Sequence, residues 1–321
     1  MKTKFMNNLK KIAKAVLFIA LFIVLYTGSR EVLRNKSESE ALGKIFTMPN
    51  ETYDVVLAGP SHIQYGIQPS ILEAEYKIKA CNTATAAQSV PTTYYVVKEM
   101  IERHTPHVVV VDLFCMFYPE AYFTPTRFHQ AIDNFPLNEN KARAIIDLVD
   151  ENKSEFFLNY MLYHGRWKSL TRDDYMVKKV FDEKNQLLYV TTPFENDFVP
   201  LDKAVKGEVP EVALEYLKKI VLLCKETDTE LILTVIPYRA DVANNDVTGE
   251  YQQSIYNTIE EYAQNWGVEY INLLYHLEAM GFDFKTDMAE FSHLNNTGSI
   301  KVSRYFGQIL TDRLEKYNEK E

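Results

Sequence analysis

The sequence is poor in cysteine and lacks the motifs that bind nucleotides or metals. Its 321 residues include only 3 Cys, 11 Gly and 12 Pro. Cys81, Cys115 and Cys224 lie in or beside apolar segments with no metal-ligand spacing, which predicts small buried side chains and no disulfide framework or thiol redox site. There is no P-loop, no dinucleotide-binding glycine motif, no zinc-protease motif and no other metal-ligand spacing, so we expect no cofactor and no metal.

Basic residues are scarce outside the N-terminus. The chain has 35 Lys and Arg against 44 Asp and Glu, a net charge of −9. Residues 1–34 contain seven basic residues and one acidic residue, a charge of +6, so the remaining residues carry −15. A nucleic-acid-binding face needs clustered Lys and Arg, so we expect no nucleic-acid partner for the body. A composition of 46% hydrophobic and 25% charged residues also excludes a disordered chain.

One uncharged apolar run, residues 15–28 (AVLFIALFIVLYTG), follows the N-terminal lysines. Counted from Ile12, with the Lys14 stem reaching outward, it has about 16 or 17 residues, close to the shortest length that spans a bilayer. Its flank, LYTGSR, lacks the small residues of a signal-peptide cleavage site. We therefore predict an uncleaved anchor at residues 1–30, with the N-terminus cytoplasmic and the body outside the cell membrane. A cleaved signal and a buried core helix are the alternatives.

Beyond a predicted polar stem at residues 31–50, short apolar runs alternate with helical patterns. The predicted strands are residues 53–58, 78–82, 108–114, 230–237 and 268–273; the predicted helices are residues 69–75, 92–103, 210–225, 250–266 and a last helix from about Thr297. This alternation predicts an α/β domain over residues 51–321, with a five-stranded parallel sheet covered on both faces. Ligands of such sheets bind at the carboxyl ends of the strands, so functional residues are expected there.

A long segment, residues 118 to about 201, interrupts the alternation after the third strand. It has helix-like stretches at residues 138–150 and 155–170 and a hairpin pattern at residues 187–192. An insertion of this length is often a lid or a wall of the substrate cleft. Its sequence YHGRWK places rings and cations together, which makes His164, Arg166 and Trp167 candidate sugar contacts. Alternatively, these residues pin the insertion to the sheet.

Two motifs carry side chains that suit nucleophilic catalysis. The sequence GPSH follows the first strand, where a serine on a tight turn can be an exposed nucleophile beside a helix N-terminus that stabilises an oxyanion. Near the C-terminus, Glu290 precedes His293 by three residues, so that its carboxylate can hold the imidazole while the other ring nitrogen faces a serine. Taken singly, Ser61 is as well explained as a turn or capping residue, and His293 as a cap of the last helix.

Together, in this order and placement, the two motifs resemble the SGNH (GDSL-like) hydrolase superfamily over most of the body. LAGPSHIQYGIQPSILEAEYKIKACNTATAAQSVPTTYYVVKEMI and EFSHLNNTGSIKVSRYFGQIL are similar to the membrane-anchored branch related to alginate O-acetyltransferases. The resemblance implies a three-layer flavodoxin-like fold, Ser61 as nucleophile and His293 as general base. Two residues differ from the branch, since Pro60 replaces a serine and Glu290 an aspartate. Glu290 is the predicted orienting residue, and Asp287 is its substitute.

The oxyanion donors are implied by the same resemblance. In the superfamily they are the N–H of the nucleophile, a residue after the second strand and a third side chain. By position, Asn82 is the candidate amide donor, Gln88 follows in the same loop, and His62 matches the branch motif. Asn82 is equally a turn residue and His62 equally a packing residue. Asp112, at the end of the third strand, is expected either to face the cleft or to cap the next loop.

The resemblance implies a serine enzyme that transfers an O-acyl group, expected to be acetyl, to a cell-surface polysaccharide outside the membrane. Such a transferase would need an acyl donor, and a multi-pass membrane protein is the expected partner that supplies it. One alternative is a carbohydrate esterase with the same three residues. Another is a non-catalytic polysaccharide-binding or assembly protein on an SGNH scaffold, which the replacement by Glu290 favours.

Overall fold

The computed structural model describes residues 2–33, 40–47, 52–118, 124–157, 163–172, 201–239 and 249–318. The strands are β1 (Val55–Ala58), β2 (Ala80–Asn82), β3 (Val108–Asp112), β4 (Glu230–Val235) and β5 (Glu269–Asn272). The helices are α1 (Lys2–Leu33), α2 (Glu40–Thr47), α3 (Ser61–Gly66), α4 (Pro69–Tyr76), α5 (Val90–His104), α6 (Pro125–Ile132), α7 (Glu139–Leu148), α8 (Lys153–Phe157), α9 (Glu211–Glu226), α10 (Gly249–Trp266), α11 (Leu277–Met280), α12 (Phe284–Asp287) and α13 (Asn296–Asn318). Short 3₁₀ helices lie at Phe114–Phe117, His164–Lys168 and Leu273–Tyr275.

The five strands form one parallel sheet in the order β2-β1-β3-β4-β5. This is the flavodoxin-like order, and it places the switch point between β1 and β3. The central strand β3 is buried along its whole length, and its four valines belong to the hydrophobic core. The predicted sheet is therefore confirmed, although each strand is two residues shorter than its apolar run.

Helices cover both faces of the sheet. Helices α5 and α9 pack together in one layer, while α4 and α13 pack together in the other. Helix α5 begins where the Ser89 hydroxyl accepts a hydrogen bond from the Thr92 N–H, with a proline in its first turn. Helix α10 ends before Gly267, whose φ of 66° suits the predicted glycine cap. The three layers bury all three cysteines, which are free thiols as predicted.

Helix α1 contains the one segment in the described ranges that is long and apolar enough to cross a membrane, Met6–Arg30, with a mean hydropathy of 2.1 over its most apolar window. Its apolar side chains are exposed, for example Leu17 and Phe18, each 70% accessible. The alternative of a buried core helix is therefore wrong, since a core helix would bury these side chains. An anchor and a cleaved signal both fit the length and composition of this segment.

The insertion after β3 packs against the sheet domain through α7 and α5. The amide of Asn140 donates to the Tyr95 carbonyl and to the Glu99 carboxylate, which also accepts from Asn138. Of the two predicted helices, the first is α7 and the second corresponds to α8 and to the 3₁₀ helix at residues 164–168. Helix α6 was not predicted. The hairpin pattern at residues 187–192 lies outside the described residues.

Candidate active site

Ser61 stands on a sharp turn between β1 and α3. The strand ends at Ala58, Gly59 adopts a φ of +135°, and Ser61 is the first residue of the helix. A Cβ at Gly59 would lie 3.1 Å from the Asp112 carbonyl oxygen, so the turn needs a glycine both for its φ and for its close approach to β3. This geometry leaves Ser61 half-buried at the carboxyl edge of the sheet.

His293 lies in the loop between α12 and α13 and reaches Ser61 across the fold. The Ser61 Oγ is 2.7 Å from the His293 Nε2, although the two residues are 232 positions apart. The other ring nitrogen, Nδ1, contacts the Glu290 Oε1. Ser292 also holds the Glu290 carboxylate, through its hydroxyl at 2.7 Å and its N–H at 3.1 Å. The serine, imidazole and carboxylate therefore form one continuous chain of contacts.

Asp287 does not reach the imidazole. Its side chain is fully buried and accepts hydrogen bonds from the Asp283 N–H and the Lys301 ammonium, each at 2.7 Å. Gly298 packs so closely beneath it that a Cβ there would lie 2.3 Å from the Asp287 carbonyl oxygen. Asp287 therefore anchors the loop to α13, and the alternative that Asp287 orients His293 in place of Glu290 is wrong.

The electrostatics at Glu290 favour a carboxylate. Partial burial raises the pKa of Glu290, but hydrogen bonds from His293 and Ser292 together lower it by more than burial raises it. The pKa therefore lies below its usual value. A carboxylate at Nδ1 leaves Nε2 free to accept the proton of Ser61. The fold and this site define an α/β protein with a serine–histidine–glutamate arrangement of the kind used for acyl chemistry.

A cleft of about 270 Å³ opens above Ser61 and His293. One wall is residues 84–87 after β2, and another is Gln64 and Tyr65 of α3. The Tyr65 ring lies 4.4 Å from the His293 ring, measured between centroids. Sequence reasoning missed Tyr65, although its position four residues after Ser61 places both on one face of α3.

Helix α6 of the insertion supplies the remaining wall, with Arg127 and Gln130. Arg127 is exposed, and its side-chain partner among the described residues is Gln130, at 3.4 Å. The expectation that the insertion forms part of a cleft wall agrees with this placement. Thr124-Pro125 is a helix-start signal that could have located α6. Arg127 and Gln130, which are three positions apart, would then lie on one face of that helix.

Asn82 and Gln88 lie beneath the cleft wall instead of facing the cleft. The Asn82 amide donates to the Ile63 carbonyl, and its oxygen accepts from the Ala84 N–H. Gln88 accepts from the Thr85 hydroxyl and donates to Thr93. Both are fully buried braces of the loop after β2, so neither is placed as an oxyanion donor.

The loop that these amides brace offers backbone donors instead. Ala86 and Ala87 are the central residues of a turn closed by the Gln88 N–H and the Thr85 carbonyl, and both line the cleft. Their own N–H groups have no acceptor within the described part of the chain. No sequence signal marks them, because any residue carries a backbone N–H and alanine is not typical of turns.

His62 and Asp112 are buried directly below the site. The His62 ring stacks on Phe114 at 3.4 Å between centroids and lies 5.3 Å from the His293 ring, and neither of its nitrogens has a hydrogen-bond partner in the described structure. Burial, and secondarily the charge of His293, lowers the pKa of His62 well below its usual value. His62 is therefore a neutral packing residue here.

Asp112 also faces the interior, so neither the cleft-facing nor the loop-capping interpretation describes it fully. Its Oδ1 accepts a 3.4 Å hydrogen bond from the Ile236 N–H, while Oδ2 has no partner in the described structure. Burial raises the pKa of Asp112 to about 8, against the lowering effect of nearby backbone N–H groups. The carboxyl is therefore largely protonated at neutral pH.

The predicted sugar contacts in the insertion lie elsewhere. None of His164, Arg166 and Trp167 lines the cleft. The Arg166 guanidinium instead donates a 2.6 Å hydrogen bond to the carbonyl oxygen of Leu33, the last residue of α1. This contact joins the insertion to the N-terminal helix, and a sugar contact at these residues stays a prediction. Within the described ranges, no group of three or more His, Cys, Asp or Glu is arranged to hold a metal ion.

No protein-family model and no curated protein matches the chain. Among solved structures, it is similar to one from Desulfitobacterium hafniense described as a lipolytic protein of the G-D-S-L family, with 12% identity and a TM-score of 0.40 over 79% of this chain and 98% of that chain. It is also similar to one from Bacteroides fragilis described as an acylhydrolase, with 11% identity and a TM-score of 0.45 over 88% of this chain and 99% of that chain.

Proposed function

We propose that this chain is an SGNH-type serine enzyme that acts on O-acyl esters, with Ser61 as nucleophile, His293 as general base and Glu290 as the orienting carboxylate. The observation that carries the proposal is the 2.7 Å contact between Ser61 Oγ and His293 Nε2, with Nδ1 held by Glu290. A serine becomes a competent nucleophile when a base can take its proton as it attacks.

In the proposed first step, Ser61 Oγ attacks the acyl carbonyl carbon and transfers its proton to His293 Nε2. The tetrahedral oxyanion accepts hydrogen bonds from the Ser61 N–H and from an N–H of the turn at Ala86 and Ala87, both of which belong to residues that line the cleft. His293 then donates the proton to the leaving oxygen, and the C–O bond breaks. The product is an acyl group esterified to Ser61.

In the second step, a hydroxyl group enters the cleft and resolves the acyl-enzyme. His293 takes the proton of the incoming hydroxyl, whose oxygen attacks the acyl carbon, and Ser61 leaves with that proton. A sugar hydroxyl gives O-acyl transfer, whereas water gives hydrolysis. The three side chains serve both reactions, so the acceptor decides between them.

We further propose that the reaction is O-acetyl transfer on a cell-surface polysaccharide, with residues 1–30 as the anchor and an extracytoplasmic domain that includes α2, since Leu42, Ile45 and Phe46 of the predicted stem are buried in the core. Helix α1 supports the anchor by its length and apolarity, and the similarity of the motif segments to the acetyltransferase branch supports the chemistry. A multi-pass membrane partner would supply the acyl group. The esterase and the non-catalytic binding protein remain the alternatives to this reaction.

The test is acyl-enzyme formation by the full-length chain in detergent with an activated acetyl ester such as 4-nitrophenyl acetate. We expect a burst of nitrophenol equal to the enzyme concentration and an acetyl adduct on Ser61 by intact-mass and peptide mass spectrometry. Ser61→Ala should abolish both, while Ser70→Ala, a half-buried serine of α4 outside the cleft, should not. No burst in the wild type would favour the non-catalytic protein. Product that depends on an added oligosaccharide would indicate transfer, and its absence hydrolysis.

A further inference from the structure

We propose that Arg166, Trp167 and Lys168, the 166–168 cluster, dock onto the lipid headgroup layer beside the membrane end of α1. The inference rests on the anchor part of the proposed function. It assigns a lipid surface to these residues as their ligand. It also predicts that the face of the body that carries them lies against the membrane.

The depth of the cluster follows from its attachment to α1. The apolar segment ends at Arg30, and Arg166 donates its hydrogen bond to the carbonyl of Leu33, three residues further on. At about 1.5 Å of rise per helical residue, that carbonyl lies about 5 Å beyond the apolar segment along the helix. The headgroup layer on each side of the hydrocarbon core is about 5 to 8 Å thick. A cluster hydrogen-bonded at this level therefore lies within that layer.

The chemistry of the cluster suits that layer. Trp167 is 65% exposed, and its ring contact within the described part of the chain is with the neighbouring Lys168 ammonium, 5.5 Å from the ring centroid. Tryptophan is enriched at membrane interfaces because its ring is apolar and its N–H is polar. In water most of this ring stays exposed, whereas at the headgroup level it would bury that apolar surface.

The charges around Trp167 select for anionic lipid. Arg30, Arg166 and Lys168 lie at or beside the membrane end of α1, and Lys168 has no carboxylate partner among the described residues. Because residues 35–321 carry −15 in total, an anionic membrane would repel most of the body. The positive charges of the cluster attract anionic lipid, so the side of the body that carries the cluster faces the membrane.

The chain allows a direct depth measurement, because it has only two tryptophans. Trp266→Phe leaves Trp167 as the sole indole and keeps an aromatic ring against Tyr262, on which Trp266 stacks. The full-length variant would be reconstituted into phosphatidylcholine–phosphatidylglycerol vesicles with bromines placed either near the headgroup or near the acyl-chain end. We expect blue-shifted Trp167 emission and about twofold quenching by the shallow bromines, with less quenching by the deep ones.

Emission typical of water, with no quenching by either lipid, would overturn the docking. If Trp266→Phe does not fold, the difference between the wild type and Trp167→Phe gives the same quantity. Flotation of the vesicles after alkaline extraction reports separately on the anchor. A chain that is extracted refutes both the anchor and the docking, whereas a chain that floats with an unquenched Trp167 refutes the docking alone.

The second measurement tests the lipid charge. Lys168→Gln should reduce Trp167 quenching in the anionic vesicles and leave it unchanged in pure phosphatidylcholine, while Lys218→Gln, an exposed lysine of α9, should change neither. Equal quenching for Lys168→Gln and its parent in anionic vesicles would overturn the electrostatic part. A shift of Trp167 emission on adding neutral oligosaccharide in detergent, larger than the shift in vesicles, would assign the cluster to sugar and overturn the lipid assignment.

Discussion

The Ser61–His293 site and the 166–168 cluster are two polar groups of residues that the sequence marks about equally well, but the structure puts them in opposite settings. The site is assembled from residues 232 positions apart at the carboxyl edge of a buried sheet, and each of its polar atoms has a partner that orients it. The cluster is contiguous, largely exposed, and attached to the end of the one candidate membrane helix of the described ranges.

This difference matches the two functions proposed for these regions. A site for acyl chemistry needs each proton directed to a defined atom, and that requires side chains fixed by their neighbours. A surface that meets lipid needs only exposed apolar area and charge at the correct depth. Residue types alone do not separate the two cases, because histidine, arginine and aromatic residues serve both.

The largest expected effect compares the two regions directly. Ser61→Ala should reduce kcat for 4-nitrophenyl acetate by about 10⁴-fold or more, because the nucleophile is lost. Trp167→Ala, measured in the same detergent, should leave kcat and KM unchanged, since Trp167 does not line the cleft. The comparison fails if Trp167→Ala reduces kcat as Ser61→Ala does. Circular dichroism of both variants checks that each is folded.

A second comparison separates the two carboxylates of the loop that carries His293. Glu290→Gln should reduce kcat by about 10²- to 10⁴-fold, because an amide cannot stabilise the imidazolium that forms during the reaction, and it should barely change the melting temperature. Asp287→Asn should affect kcat less but cost about 3 kcal/mol of stability, because it weakens a buried contact with Lys301. The reverse pattern, with Asp287→Asn the slower enzyme, would contradict the assignment of Glu290.

A third prediction concerns the desolvated groups under the site. The Asp112 carboxyl loses its proton near pH 4 when unfolded, but keeps it up to about pH 8 in the folded protein. Between these values the unfolded state is favoured by proton release, so wild-type stability should fall as the pH rises from about 4 to about 8, by at most about 1.4 kcal/mol per pH unit. Asp112→Asn removes this titration and should flatten the dependence in urea unfolding. Parallel pH dependences for both proteins would refute it.

The smallest effect concerns Arg127, the cation of the cleft wall. Its positive charge should favour anionic esters. We therefore compare kcat/KM for an acetyl ester that bears a carboxylate with kcat/KM for the neutral methyl ester of the same compound. Arg127→Gln should lower the ratio of the first value to the second by roughly three- to tenfold. Arg143→Gln, which removes an exposed charge of α7 paired with Glu139, is the matched control. An unchanged ratio in Arg127→Gln would show that this guanidinium does not contact substrate.

The sheet could be predicted from the sequence because its signal is local, since buried parallel strands are apolar throughout, as in the valines of β3. The candidate residues Ser61, Glu290 and His293 have no such local signal. They come from two distant motifs whose order resembles a known superfamily, and the fold brings the first, after β1, into contact with the second, before α13. The surroundings of Asn82 could not be predicted. Asn82 has the correct residue type at the correct strand end, but its amide contacts Ile63 and Ala84, while Ala86 and Ala87 of the following turn line the cleft. Which way an amide turns depends on packing that no local pattern encodes.

The loop that carries His293 has a consequence for how this chemistry could be lost or moved between proteins. Base, orienting carboxylate and the serine that holds it all come from residues 290–293, and an internal bond from the Ala289 N–H to the His293 carbonyl closes the loop on itself. The imidazole and the carboxylate are thus positioned within one short segment. The rest of the fold has only to place this loop beside the turn at Gly59 and Ser61. Grafting residues 287–298 with that one alignment onto another flavodoxin-like sheet is therefore the smallest transplant that would carry the base and its carboxylate as a unit.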